Sequence, residues 1–151
     1  MQKVLFVCSA NRCRSVFAKY ASELMDSDFI FESAGVNASD GKPATNQASE
    51  TALDFGIELD GHKSRNFKTL KSPDEYKVII CFTENHYSKI LSHKPQLEEK
   101  CFLLSRFTNY LEPGENISDP TGQGPESHKS IFSVILDSLR LWQAKSWNFD
   151  A

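Results

Sequence analysis

Short apolar runs alternate with amphipathic stretches along this chain. Four of the runs are rich in β-branched and aromatic residues and predict strands over 3–7, 29–32, 77–82 and 100–104. The third run is apolar on both faces, as expected of a central strand in a parallel sheet. A short helical turn is predicted at 72–75, where a proline is followed by two acidic residues.

Apolar residues at helical spacing predict helices over 15–26, 44–55 and 84–91. A long closing helix is predicted from one apolar face, formed by Ile131, Val134, Ile135, Leu139 and Trp142. The alternation of strands and helices predicts an α/β fold, a three-layer sandwich with a central four-stranded parallel sheet and helices on both faces. Ligands of such folds bind beyond the carboxyl ends of the strands. The stretch 109–125, with three prolines and three glycines, predicts a long irregular loop of the kind that is usually functional.

Length and charge narrow the class of protein. The 151 residues suit a single domain, 1–151, and the composition is ordinary for a globular protein. A net charge of −3 gives no electrostatic footprint for nucleic acid or an anionic membrane, so neither is expected as a partner. The first apolar run is too short for a signal peptide or a membrane-spanning helix, which favours a cytoplasmic protein.

The chain has four cysteines and four histidines. Because no secretory signal precedes Cys8, Cys13, Cys81 and Cys101, we expect reduced thiols rather than disulfides. The histidines lack metal-ligand spacing, so no metal site is predicted. Surface or packing roles are expected for them, with His62 left open.

The stretch 8–15 carries the candidate chemistry. An apolar strand ends at Cys8, and a short polar loop then leads to Arg14 and Ser15, where a helical pattern begins. Loop amides and the first N–H groups of a helix can bind an anion, and the same field favours thiolate over thiol. Cys8 is therefore a candidate nucleophile, and the planar guanidinium of Arg14 suits two oxygens of a phosphate-like group. We call residues 8–15 the nucleophile loop.

The nucleophile loop fits the pattern C-x5-R-S, and residues 7–15 resemble the V-C-x-G-N-x-C-R-S-P opening of the low-molecular-weight protein tyrosine phosphatases. Further stretches are similar to later landmarks of that family, in order and at fitting separations: 32–35, 61–65 and Asp119-Pro120. The resemblance implies hydrolysis of phosphate monoesters through a phosphocysteine, with no cofactor. It also implies that the substrate is a phosphorylated protein, with phosphotyrosine as the leading candidate for the phosphorylated residue. Inorganic phosphate or a similar oxyanion is expected to bind in the loop.

The resemblance also assigns roles to residues. Cys8 is the nucleophile, Arg14 holds the phosphoryl oxygens, and Asp119 is the general acid, although an Asp-Pro pair by itself equally starts a turn. The other loop residues are expected to bind the substrate: Ser9, Ala10, Asn11, Arg12, Cys13 and Ser15.

Some of these loop residues carry further expectations. Ser15 is expected to hydrogen-bond the thiolate, cap the helix, or do both. Asn11 tolerates a left-handed backbone, and by resemblance Ser33 and His62 belong to a supporting hydrogen-bond network around it. Cys13 is a small buried hydrophobe, a resolving thiol for Cys8, or both.

The sequence departs from the family pattern at three places. Ala10 replaces a glycine and Val16 replaces a proline, but neither residue is expected to contact a reacting atom. Thr121-Gly122 follows Asp119-Pro120 where tyrosine-specific members carry aromatic residues, so that wall of the pocket is expected to be missing or supplied from elsewhere in the chain. Arg12 adds a positive charge at the mouth, which predicts a preference for acidic flanks and against phosphoarginine.

Two other functions remain open at this point. Thiol-linked arsenate reductases share the opening loop but need two further cysteines, and no second cysteine lies near Cys81 in sequence. A catalytically silent phosphate-binding module is the other alternative, although such a module has no need of Asp119.

Overall fold

Four parallel strands form the predicted sheet. The computed structural model describes residues 1–26, 28–108, 112 and 114–147. The strands are β1 (Gln2–Cys8), β2 (Phe29–Gly35), β3 (Val78–Cys81) and β4 (Cys101–Leu103), in the spatial order β2-β1-β3-β4. β1 therefore lies inside the sheet, and its carboxyl end places Cys8 at the edge where ligands of parallel sheets bind.

Four α-helices connect and cover the strands. They are α1 (Arg14–Met25), α2 (Asn46–Leu53), α3 (Glu84–His93) and α4 (Pro125–Ala144). The predicted turn at 72–75 is a 3₁₀ turn, Pro73–Glu75. Among the described helices, none combines the length and hydropathy that a membrane span requires.

The two faces of the sheet pack into separate hydrophobic clusters, which confirms the three-layer arrangement. Helices α1, α2 and α4 cover one face, whose largest buried side chains include Phe6, Phe17, Phe132 and Trp142. The rings of Phe17 and Phe132 stack with centroids 4.0 Å apart. The other face packs Leu5, Ile79 and Leu97 against Ile90 of α3. Burying each such side chain contributes about 1.5–3 kcal/mol, so both layers stabilise the sheet.

Several element boundaries differ from the sequence prediction for local reasons. Strand β2 continues to Gly35 because it pairs with β1 along its whole length, from Gln2↔Phe29 to Cys8↔Gly35. Helix α2 begins at Asn46 because the side chain of Thr45 caps it, accepting a hydrogen bond from the amide of Ala48 at 3.2 Å.

The predicted irregular loop 109–125 is described at residue 112 and from 114 onward, and these described residues have no regular secondary structure up to residue 124. Helix α4 then begins with Pro125 in its first turn. Residues 109–111 and 113 of this prediction lie outside the described residues.

The end of β2 supports the nucleophile loop through a close backbone approach. A Cβ on Gly35 would lie 2.5 Å from the carbonyl oxygen of Ser9 and 2.8 Å from the amide nitrogen of Asn11. The amides of Val36 and Asn37 donate to the carbonyls of Cys8 and Ser9, both at 2.9 Å. Glycine is therefore required at this point of β2, because a side chain would push the loop away.

Candidate active site

The Cys8 side chain ends β1 in a nearly water-free position. It is 2% exposed, and its sulfur lies 2.9 Å from the hydroxyl oxygen of Ser15 in the first turn of α1. Cys13, which precedes the helix, makes no side-chain capping bond, and Ser15 is inside the helix rather than at its cap. Of the two roles expected for Ser15, the structure therefore shows the contact with Cys8.

Asn11 ties the nucleophile loop to two other segments. Its φ of 56° is left-handed, as its residue type allows. Its side-chain amide donates to the Ser15 hydroxyl at 2.8 Å and accepts from the backbone amide of Arg65 at 2.9 Å. Its carbonyl accepts from Nε2 of His62 at 2.6 Å. Because Asn11 is fully buried, these bonds fix the backbone of the loop.

Ser33 joins the hydrogen-bond network around Asn11 through Arg65. The Ser33 side chain makes no hydrogen bond to Asn11, and both residues are within the described part of the chain. The Ser33 carbonyl instead accepts from the Arg65 guanidinium, at 3.1 Å from Nη2. Ser33 thus acts through its main chain, one step behind Arg65.

A carboxylate holds Arg65 from the other side. Oε1 of Glu32 accepts from Tyr76 at 2.6 Å and from Nη2 of Arg65 at 3.1 Å, and Oε2 lies 3.7 Å from Lys3. Burial alone would raise the pKa of Glu32, but the hydrogen bonds from Tyr76 and Arg65 outweigh it and lower the pKa. Glu32 is therefore ionised at neutral pH and stabilises the segment that supports Asn11.

Arg14 is a buried cation with a free donor. Its side chain is 3% exposed, and Nη1 donates to the Ile117 carbonyl at 2.9 Å. Its Nε is buried and has no partner among the described residues, and Nη2 lies 3.8 Å from Oδ2 of Asp119. A buried donor without a partner is costly, which favours binding of a ligand that accepts from Nε. Nε and Nη2 together form a two-donor edge of the guanidinium that suits an oxyanion.

Asp119 faces the same space from the opposite loop. Its Oδ1 accepts from the amide of Thr121 at 3.0 Å, so it forms the turn that its sequence allows as well as facing Arg14. Burial tends to raise the pKa of Asp119, but hydrogen bonds from Thr121 and the nearby Arg14 and His128 lower it. Half of the side chain is exposed, so the carboxylate can meet a ligand that enters from solvent.

These groups meet in one pocket of about 120 Å³. It is lined by Cys8, Ala10, Arg12, Cys13, Arg14, Thr45, Asp119 and Thr121. Ser9, Asn11 and Ser15 do not line it and instead make hydrogen bonds to neighbouring residues. Arg12 is fixed at the mouth, where its Nε donates to the Pro43 carbonyl at 2.7 Å.

His86, for which a surface or packing role was expected, is a buried residue that also contacts the nucleophile loop. Its ring is 1% exposed, and Nε2 lies 2.9 Å from the hydroxyl oxygen of Ser9 in the nucleophile loop. Burial, aided by the neighbouring Arg14 charge, lowers the pKa of His86 to about 3. The ring is therefore neutral at physiological pH.

All four cysteines are free thiols. Burial, and then the charges of Cys8 and Asp119, raise the pKa of Cys13 far above its usual value. Cys81 and Cys101, which are distant in sequence, lie on neighbouring strands. The Cys81 sulfur donates to the Phe102 carbonyl at 3.6 Å, and the nearby Cys101, together with burial, raises the pKa of Cys81. The pair packs in the cluster with Leu5 and Ile79, whereas Cys8 belongs to the cluster on the other face. No group of three or more acidic, His or Cys side chains placed to hold a metal occurs within the described ranges.

Comparison with known proteins decides the family. The family model described as low molecular weight phosphotyrosine protein phosphatase matches residues 3–147. The chain belongs to this family. A Klebsiella pneumoniae protein that carries the name of a low molecular weight protein-tyrosine-phosphatase is 36% identical over 143 residues, which cover 94% of this chain and 95% of the relative. The phosphatase is thus a hydrolase of the low molecular weight class.

Other relatives differ in the substrate that their names give. A protein-arginine-phosphatase of Geobacillus stearothermophilus is 32% identical over 141 residues, covering 91% of this phosphatase and 93% of the relative. A solved arginine phosphatase structure from the same organism superimposes with a TM-score of 0.86 at 26% identity. It covers 97% of this chain and 94% of its own, so the fold agrees over nearly the whole length.

Sequence reasoning missed three residues of this phosphatase site. Thr45 and Thr121 line the pocket, and His86 contacts the loop from behind it. From the sequence alone, Thr121 draws attention only because it stands where tyrosine-specific members carry an aromatic residue. Thr45 falls inside the predicted helix 44–55, and its place beside the nucleophile loop cannot be read from the sequence. His86 gave no signal, because its contact with Ser9 spans 77 positions.

Glu32 and its partners Tyr76, Arg65 and Lys3, which we call the Glu32 cluster, predict a stability that depends on pH. Because the pKa of Glu32 is lower in the folded state, its contribution is present above the unfolded value of about 4.5 and is lost as pH falls below it. We expect Glu32→Gln to reduce the free energy of unfolding in urea by about 1–2 kcal/mol at pH 7. The difference from wild type should shrink steadily between pH 4.5 and pH 3.

Glu75→Gln is the matched control, because Glu75 is half exposed and pairs only with Lys3 among the described residues. We expect it to have less than half the effect of Glu32→Gln at pH 7. A Glu32→Gln deficit that stays constant from pH 7 to pH 3 would contradict this account of the cluster.

Proposed function

We propose that this chain is a protein tyrosine phosphatase that hydrolyses phosphate monoesters through a phosphocysteine intermediate, within a single domain spanning 1–151. The observation that carries the proposal is the two-donor edge of Arg14, which lines the same pocket as Cys8 and lies opposite Asp119. A nucleophile, a cationic clamp and an acid in one pocket are the groups that cleavage of a phosphate ester requires.

The first step transfers the phosphoryl group to sulfur. The Cys8 thiolate attacks phosphorus in line with the ester oxygen, so an S–P bond forms while the P–O bond to the substrate breaks. Nε and Nη2 of Arg14 donate to phosphoryl oxygens and stabilise their charge in the transition state. Asp119, in its protonated form, gives its proton to the departing oxygen.

The second step releases inorganic phosphate. Water attacks the phosphocysteine and gives a proton to the Asp119 carboxylate, which acts as the base. The S–P bond breaks and the electron pair returns to sulfur. The Ser15 hydroxyl, 2.9 Å from the sulfur, donates to the thiolate as it leaves. No cofactor enters either step.

The protonation of Asp119 depends on the bound substrate. In the free site, Arg14 and Thr121 favour the carboxylate form and lower its pKa. A phosphate dianion in the pocket adds negative charge and occupies the Arg14 donors, which raises the pKa of Asp119. The substrate therefore prepares its own general acid.

The pocket supports a phosphate ester on an acidic peptide better than phosphoarginine. Arg12, held by Pro43 at the mouth, repels the guanidinium group that carries the phosphoryl group in phosphoarginine and attracts acidic flanking residues. Among the described residues, no aromatic side chain lines the pocket. A phenyl ring would therefore contact Ala10, Thr45 and Thr121, and we expect a weaker phosphotyrosine preference than aromatic walls would give.

The two other functions have less support. A relay of thiols to Cys8 would need mobile, accessible cysteines, whereas Cys81 and Cys101 are at most 2% exposed and pack on the opposite face of the sheet. A silent phosphate-binding module would not need Asp119 opposite the Arg14 guanidinium.

Release of p-nitrophenol from p-nitrophenyl phosphate tests the proposal. We expect wild-type protein to be active and Cys8→Ser to abolish turnover, because the attacking sulfur is lost. Asp119→Asn should lower kcat by about 10²–10⁴-fold, since it removes the acid and base. Rapid acid quenching should recover phosphate on Cys8 of the wild type.

Asp137→Asn is the control, because Asp137 lies on α4 and pairs with Arg140. It should leave kcat unchanged. Turnover that survives Cys8→Ser, or a quenched protein that carries no phosphate, would refute the phosphocysteine mechanism.

A second experiment tests the role of Arg12. At low salt, Arg12→Ala should lower the ratio of kcat/KM for an acidic over a basic phosphotyrosine peptide by about two- to five-fold, and 0.5 M NaCl should reduce this difference. Lys129→Ala removes a charge that pairs with Asp54, away from the pocket, and serves as the control. Equal ratios in wild type and Arg12→Ala, or faster turnover of a phosphoarginine peptide by the wild type, would contradict the assignment.

A further inference from the structure

The two nitrogens of the buried His86 ring have different partners. Nδ1 accepts from the backbone amide of Phe82 at 3.3 Å, so in the neutral ring the proton is on Nε2. Nε2 therefore donates to the Ser9 hydroxyl oxygen at 2.9 Å. Since Ser9 acts as the acceptor, its own O–H proton stays free to donate within the nucleophile loop. The direction of both bonds is thus fixed by the first one.

From Phe82 the hydrogen bonds continue to the arginine of the same loop. The Phe82 carbonyl accepts from the amide of Ile117 at 2.8 Å, and the Ile117 carbonyl accepts from Nη1 of Arg14 at 2.9 Å. The series Ser9, His86, Phe82, Ile117 and Arg14 thus begins and ends in the nucleophile loop. It joins the end of β3 and the start of α3 to the segment that carries the general acid.

A second contact ties the same two segments together. The backbone amide of Glu84, the first residue of α3, donates to the side-chain oxygen of Asn116 at 2.8 Å. Thr83 caps that helix and accepts from the amide of His86 at 3.1 Å. The position of His86 is therefore set by α3 itself, and residues 116 and 117 are held against the start of that helix.

We propose that His86 is a positioning residue of the phosphatase reaction, which fixes Ser9 through its Nε2–H and thereby holds the nucleophile loop in register with the Arg14 guanidinium and the Asp119 segment. The inference rests on the proposed function of the site. Arg14 donates through Nη1 to Ile117, which turns Nε and Nη2 toward the oxyanion. If the loop shifts relative to Ile117, this edge no longer matches the phosphoryl oxygens.

The ring chemistry of His86 allows its two bonds to be removed separately. His86→Asn places a carbonyl oxygen close to the former Nδ1, so the amide of Phe82 keeps an acceptor while the bond to Ser9 is lost. His86→Gln places a donor close to the former Nε2, so the bond to Ser9 is kept while the amide of Phe82 loses its acceptor. Ser9→Ala removes the Ser9 acceptor and leaves His86 in place.

The experiment measures kcat/KM for p-nitrophenyl phosphate, the affinity for inorganic vanadate by calorimetry, and stability in urea. We expect His86→Asn and Ser9→Ala each to lower kcat/KM and vanadate affinity by about five- to ten-fold. In the double variant, kcat/KM and vanadate affinity should be no lower than in the more impaired single variant, because both substitutions remove the same bond. His86→Gln should keep kcat/KM within about three-fold of wild type while losing more stability than His86→Asn.

His93→Asn is the control, since His93 lies at the exposed end of the same helix and contacts Phe67. It should change neither activity nor vanadate affinity. Multiplying effects in the double variant, or activity losses that follow stability losses through the whole series, would overturn the positioning role. Vanadate affinity can be measured without turnover, so it separates the two proposals. If the wild type binds vanadate but has no activity, the proposed function is contradicted. If the variants still show the same non-additive loss of vanadate affinity, the role of His86 in anion binding remains supported.

Discussion

Arg14 carries a permanent positive charge into a position almost completely shielded from water. One protein carbonyl and one carboxylate at 3.8 Å compensate it only in part, and Nε is left without a partner in the described chain. A buried charge of this kind is costly unless an anion completes its coordination. The pocket is therefore built around a charge that the described residues satisfy only in part, and in the proposed mechanism a phosphoryl group supplies the missing oxygens.

The rest of the fold holds the backbone around that charge. Strand β1 delivers Cys8 to the edge of the sheet, and the paired end of β2 brings Gly35 against the loop, where only a glycine fits. Asn11 takes a left-handed conformation and binds the loop to residues 62 and 65. On the opposite side His86 connects the loop to the segment that carries Asp119. The proposed anion site is thus held from both sides by the protein itself.

The parts of this arrangement that depend on local sequence could be predicted. The strands follow from apolar runs, the layers follow from their alternation with helices, and the loop 8–15 follows from its residue types and its place after a strand. Contacts that depend on tertiary register could not be predicted. Cys81 and Cys101 meet because β3 and β4 are neighbours, and His86 reaches Ser9 because α3 starts beside β1. Ser33 was predicted to belong to the hydrogen-bond network around Asn11, and its carbonyl does so by accepting from Arg65.

The most direct test of this account is a crystal structure of the protein with orthovanadate, which resembles the pentacoordinate transition state of phosphoryl transfer. The account predicts vanadium bonded to the Cys8 sulfur, equatorial oxygens bonded to Nε and Nη2 of Arg14, and the Asp119 carboxyl group within hydrogen-bonding distance of the apical oxygen. Vanadate bound away from Cys8, or an Asp119 side chain turned to solvent with the anion in place, would contradict it.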